Sequence, residues 1–156
     1  MSVKLAIATV LCIATSAFAQ PKQADITVEV VPVYASGWQA DITLTNRGNS
    51  RIEIADADLP WRNRYGMVFV AAEARRPNAP LRVETFPIDD ALGNREVLAP
   101  RGTLKGRVSL DRYFDDLGRA LRDCDVIVHW SFDMSPVTGI PRDRIYGGFV
   151  LPKTGK

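Results

Sequence analysis

One histidine, two cysteines and a few adjacent carboxylates are the residues that could do chemistry, and their spacing decides what each can do. His129 falls in CDVIVHWSF, where Cys124, Val126, Val128, Trp130 and Phe132 alternate toward one face and His129 points to the other with Ile127 and Ser131. A Ser-His-Asp triad needs its histidine beside a nucleophile at a strand end or loop. A zinc site needs companion ligands that a lone histidine lacks. His129 therefore reads as a surface residue. Cys124, on the inward parity, reads as a small buried apolar side chain, because a catalytic thiolate would need a base on its own face. The pairs Asp89-Asp90 and Asp115-Asp116 are sequence neighbours, whereas glycoside hydrolysis needs two carboxyl groups facing each other across a cleft. FPIDDALGN lacks the alternating ligand register and closing glutamate of a calcium loop. Asp115-Asp116 suits the first turn of a helix, where acids favour the dipole. The expectation is a protein that is not an enzyme, with no catalytic residue, no metal and no cofactor.

The residues that could bind sit elsewhere. Residues 58–66 read DLPWRNRYG, and Pro60 breaks the strand before them, so Trp61, Arg62, Arg64 and Tyr65 lie in a connection. Two readings follow. Trp61 folds over the open end of the domain and covers the core with solvated arginines around it, or Trp, Tyr and Arg form a contact patch of the composition enriched at interface hot spots. AEARRPNAP adds Arg75 and Arg76, and SPVTGIPRDR adds Arg142 and Arg144. The expected partner-binding set is Trp61, Arg62, Arg64, Tyr65, Arg75, Arg76, Arg142 and Arg144.

These residues need a compartment and a scaffold. The segment MSVKLAIATVLCIATSAFAQ has Lys4, an apolar run from Leu5 to about Thr15, and Ala17-Phe18-Ala19, the layout of a secretory signal peptide over 1–19 with cleavage before Gln20. The run is too short to be a permanent anchor, no small residue precedes Cys12 as lipidation would want, and no later stretch is apolar enough for an integral membrane span. The expectation is an exported chain, periplasmic or secreted, with residues 20–156 as a single domain. Twenty Lys and Arg stand against eighteen Asp and Glu, and Lys4 leaves with the leader, so the basic excess of a nucleic-acid binder is missing. With only Cys124 remaining there is no internal disulfide, and stability must come from packing.

Alternation of period two runs through the mature chain. Ile26, Val28 and Val30 form a first strand that Pro32 places at an edge. Trp38, Ala40, Ile42 and Leu44 face inward in GWQADITLT, and an NRGNS turn leads to Ile52 and Ile54. GMVFVAA (66–72) is apolar on both parities, which suits a strand covered on both sides or one with a partner on its outer face. Leu104, Val108 and Leu110 share a face, as do Cys124 through Phe132, and Ile145, Phe149 and Leu151 close the set with Gly147-Gly148 at a bulge. Tyr113, Phe114, Leu117 and Leu121 recur at helical spacing behind Asp111 as N-cap. The fold expected is all-β, an immunoglobulin-like antiparallel β-sandwich of 7–8 strands with one short helical crossover near 111–122. Trp38 and Trp130 are expected to plug the core between the sheets.

ITLTNRGNSRIEI followed by VLAPRGTLKGRVSLDRYFDDLG resembles the β-sandwich accessory and propeptide domains of deuterolysin-type metalloproteases. The resemblance rests on Asn46 and Gly48, on Leu98, Pro100 and Gly102, and on Leu110, Asp111 and Phe114. Similar punctuation occurs in proteinase-inhibitor-like β-sandwiches. It covers about half of the mature chain and departs at DLPWRNRYG and WSFDMSP. It implies the sandwich fold. Together with the loop composition it raises the expectation of a non-enzymatic module that binds a protein partner in the cell envelope, as an inhibitor or immunity-like partner of an extracytoplasmic enzyme. The alternatives are an envelope structural or assembly factor that pairs by a strand edge through GMVFVAA, or a carbohydrate-binding module.

Overall fold

The computed structural model describes residues 25–62, 66–84, 93–141 and 143–154. Among them the chain is mostly strand, arranged in three antiparallel sheets with a few short helices. The first sheet has the order β1 (Ile26–Tyr34), β2 (Trp38–Asn46), β6 (Thr103–Ser109). A second joins β4 (Met67–Glu73), β7 (Val126–Asp133) and β8 (Arg144–Leu151), and a small third pairs β3 (Ile52–Ala55) with β5 (Arg95–Leu98). The signal-peptide segment, Asp89-Asp90, Arg64, Tyr65 and Arg142 lie outside the described residues.

Alternation does what the sequence implies. Ala40, Ile42 and Leu44 of β2, Met67, Phe69 and Ala71 of β4, and Val126, Val128 and Phe132 of β7 are buried in one hydrophobic cluster, while Ile26, Val28, Val30, Leu104 and Val108 pack against it half-buried. Fully burying the Val, Ile, Leu, Phe and Met side chains among them contributes about 1.5–3 kcal/mol each. β1 pairs with β2 alone, so Pro32 does stand on an edge strand. Trp38 and Trp130 belong to the same cluster but are half-buried, Trp38 edge-on to Tyr34 with ring centroids 5.2 Å apart.

Four expectations need correction. The crossover is two short helices, α1 (Leu110–Tyr113) and α2 (Leu117–Asp123), because Phe114 turns extended and bridges to Val83. Asp111 is not the N-cap; it lies inside the first turn of α1, and its carboxylate accepts the backbone N–H of Trp38. Cys124 is not in β7 but is the half-buried C-cap residue of α2. Finally, Gly147-Gly148 makes no bulge, since β7 and β8 keep unbroken register from Val126↔Leu151 to Asp133↔Arg144. Two features were not anticipated: strand β5, and a third helix, α3 (Ser135–Thr138), closed by Gly139 at φ 70°.

The turns are tied together by one amide. Asn46, buried at the end of β2, donates through Nδ2 to the carbonyls of Ser50 (2.8 Å), Ala99 (3.1 Å) and Leu98 (3.3 Å), and accepts the N–H of Gly48 at 2.9 Å. Its own N–H donates to Gly102 C=O at 3.0 Å. The Asn-x-Gly turn and the Leu98–Gly102 turn, prominent in the resemblance, are thus one knot. Asn46→Ala leaves buried carbonyls without donors, and we expect a loss of about 2–4 kcal/mol in chemical denaturation at unchanged m-value.

Candidate functional site

Of the expected binding residues, the five described, Trp61, Arg62, Arg75, Arg76 and Arg144, do not form one patch. Trp61 follows a short 3-10 turn (Asp56–Asp58) and lies against the inner face of β6, where Gly106 has no side chain; a Cβ added there would overlap the indole. Trp61 is half-buried and packed on the core. Trp130 repeats the device over Gly147, its register partner on β8. Arg62 is exposed and pairs with Asp56 at 3.5 Å. Arg144 pairs with Asp133 at 3.6 Å, at the same end of the sheet as Gly66, because Asp133 N–H donates to Gly66 C=O.

Arg75 and Arg76 lie at the opposite end of β4, about 20 Å away at the rise of a seven-residue strand. Both close on Glu73, a largely buried residue: Arg76 donates from Nη2 at 2.6 Å and Nε at 3.0 Å, and Arg75 from Nε at 3.0 Å. Arg75 also reaches Asp123 at 3.2 Å. The hydrogen bonds from Arg76 and then Arg75 hold the Glu73 carboxyl down at about 2 against the opposing pull of burial. The described arginines of the expected patch are therefore committed to carboxylates of their own chain.

The outer faces of the two larger sheets differ in chemistry. On β1-β2-β6 the outward rows are mainly polar: Glu29, Thr43 and Lys105 align, and exposed Val31 lies beside Asp41 and Arg107, whose Nη2 donates to Asp41 at 2.9 Å and whose guanidinium lowers the aspartate pKa. On β4-β7-β8 the rows are Val68–Ser131–Tyr146, Val70–His129–Gly148 and Ala72–Ile127–Val150. Val70 is 48% exposed, Tyr146 72% and Val150 54%. His129 stands in the middle of this face, on the surface as expected.

The strand edges differ too. Asp133 N–H donates to Gly66 C=O and Ala74 N–H to Asp125 C=O, whereas Met134 N–H donates to Asp143 C=O at 2.6 Å. Carried through the registers, odd residues of β7 hydrogen-bond β4 and even residues hydrogen-bond β8. The odd residues of β4 and the even residues of β8 therefore turn their backbone groups away from the sheet. On β4 these are taken up: Phe69 N–H donates to the Tyr113 hydroxyl at 3.3 Å, and Ala71 C=O accepts Leu81 N–H at 2.7 Å. By the same reasoning β1 directs even residues outward, where Pro32 has no N–H, and β6 directs odd residues outward, where Lys105 and Arg107 stand. Charges and proline are the usual means of blunting an edge. From Ile145 to Leu151, β8 has no charge, no proline and no bulge. β1 approaches β8, but among the described residues no hydrogen bond joins them.

The site legible only with the structure is thus the β8 edge with its apolar face. The doubly apolar GMVFVAA run signalled only the apolar face, and the expectation that this strand pairs by its own edge is corrected, since Tyr113 and Leu81 take up that edge; RIYGGFVL, which carries the open edge, reads as an ordinary closing strand. Among the described residues no group of three or more His, Cys, Asp or Glu is placed to hold a metal ion, and no helix is long and apolar enough to cross a membrane. Compared with known proteins, the sequence matches no family model and no curated protein.

Two measurements test this geometry. Gly106→Ala displaces the Trp61 indole and should cost about 1–3 kcal/mol, but markedly less in a Trp61→Ala background, because the two positions touch; equal costs in both would show that Trp61 does not cover Gly106. For Glu73 the folded pKa is depressed below the ordinary 4.5, so its contribution to stability is fully present above pH 4.5 and is lost as pH falls toward 2. Glu73→Gln should lower Tm at neutral pH and flatten the Tm–pH profile between about 4.5 and 2, as followed by circular dichroism.

Proposed function

We propose that this chain is an exported, non-enzymatic β-sandwich of immunoglobulin-like type that works in the cell envelope as a protein-binding and assembly module, pairing through the β8 edge and the outer face of β4-β7-β8. The observation that carries the reading is the contrast between edges of the two larger sheets: β4 is capped, β6 bears Lys105 and Arg107, and β1 is interrupted at Pro32, while β8 combines uninterrupted outward backbone groups with exposed Tyr146 and Val150. Strand addition uses such an edge, with main-chain hydrogen bonds giving affinity and alternate side chains giving specificity.

Supporting the sandwich are the orders β1-β2-β6 and β4-β7-β8 about one hydrophobic cluster, which parallel the A-B-E and C-F-G strands of the immunoglobulin arrangement, with β3-β5 as an addition. Supporting export is the leader-like layout of residues 1–19. The resemblance to metalloprotease accessory domains falls on Asn46, Gly48, Leu98 and Gly102, the turn knot, and so speaks for the scaffold. Recognition through the arginine loops is the weaker reading, since Arg62, Arg75, Arg76 and Arg144 are paired internally.

Capture experiments separate the two. Immobilised protein retains a partner from an envelope extract, identified by mass spectrometry. Val150→Lys should abolish that retention, and Arg62→Ala with Arg64→Ala should leave it intact. The reverse pattern would return the binding function to the loops.

A further inference from the structure

We propose that the occupant of the β8 edge is the β8 strand of a second copy of this chain, added antiparallel about a two-fold axis through Gly148. This rests on the edge-pairing reading above and names its partner.

Area argues against the alternative of two faces stacked together. Three strands spaced about 4.8 Å, with about 20 Å of strand length, offer roughly 300 Å², against about 800 Å² per partner in a stable interface. The outer face is too small to hold a copy by itself. Edge addition needs no such area, because the ladder supplies the contact and the two faces merge into one surface across six strands.

The edge is self-complementary in one register. Arg144, Tyr146, Gly148 and Val150 are the residues of β8 that turn backbone groups outward, and the same four carry their side chains, or none, on the exposed outer face. With Gly148 opposite its own copy, Tyr146 faces Val150 of the second strand on both sides of the axis, and each such pair exchanges both of its backbone hydrogen bonds. Aromatic against β-branched is a favourable cross-strand pair. Gly148 at the axis removes side-chain bulk where the strands are related by symmetry. Pro152, lacking an N–H, ends the ladder just beyond Val150. Charge agrees: Ile145 to Leu151 contains none, so no like charges meet across the axis. A C2 contact of this kind closes on itself and does not propagate.

The test uses the full chain, purified as the expressing cell leaves it, and reads mass by sedimentation across a concentration series. The wild type should pass from monomer to twice that mass, with the amides of Tyr146, Gly148 and Val150 gaining protection from hydrogen exchange as the dimer forms. Tyr146→Lys with Val150→Lys sets lysine against lysine in both pairs and should hold the protein as a monomer with unchanged circular dichroism, since both side chains are exposed in the folded chain. Tyr146→Glu with Val150→Lys sets opposite charges across each pair and should restore the dimer, in a salt-dependent manner. A wild type that stays monomeric, a dimer whose β8 amides stay unprotected, or a Glu/Lys variant no more dimeric than the Lys/Lys variant would overturn the two-fold pairing. A monomeric wild type that still loses its envelope partner on Val150→Lys would overturn it while leaving edge pairing with another protein in place.

Discussion

The backbone of β7 has two sides, and both are used. Odd residues bond β4 and even residues bond β8, and this fixes which groups of the neighbours are spent and which are left over. The character of both edges of the sheet follows from that division. On β4 the leftover groups fall beneath the 80–84 segment and the Tyr113 hydroxyl, so the strand is closed from the side. On β8 they fall on the same residues whose side chains point outward. A strand whose free backbone and exposed side chains coincide offers a partner both a ladder and a surface at once.

Much of this scaffold was readable in the chain. Period two in GWQADITLT and CDVIVHWSF identified the buried residues of β2 and β7, and Pro32 identified an edge, because these signals depend only on pleat geometry and on a missing N–H. The errors arose where tertiary contacts overrode local pattern. Helical spacing from Tyr113 to Leu121 implied one helix, but Phe114 is drawn into an extended bridge with Val83 and the helix divides. Asp111 looked like a cap and instead serves the N–H of Trp38, a partner far away in sequence. The short REVL of β5, half of it charged, carries too weak an alternation to announce itself, and it is a strand because Ile52–Ala55 lies beside it.

The candidate site was less legible for a related reason. Arginine-rich loops advertise binding in a sequence because their carboxylate partners are not visible there. Arg75 and Arg76 are two residues and three residues from Glu73, close enough to fold back on it, and the ionised pair-of-arginines clamp accounts for their presence without any partner. Gly106 and Gly147 mislead in the opposite direction. They look like weak points in strands, yet each is the empty place into which an indole fits, and the two tryptophans close the core through them. Exposed apolar residues on β8 gave no warning because their alternation is that of any strand; what distinguishes them is a hydrogen-bond parity that only the register reveals.

The interval between β4 and β7 has a kinetic meaning. β7 and β8 are joined by a short connection, and β1 and β2 by a shorter one, so both hairpins can form locally, whereas β4 must find β7 across roughly fifty residues that include β5, β6 and both short helices. Long-range closure of this kind is the slow part of a β fold. Until it happens, the newly formed β7–β8 hairpin presents unfilled ladders along both flanks, and an emerging chain is at its most adhesive in that interval.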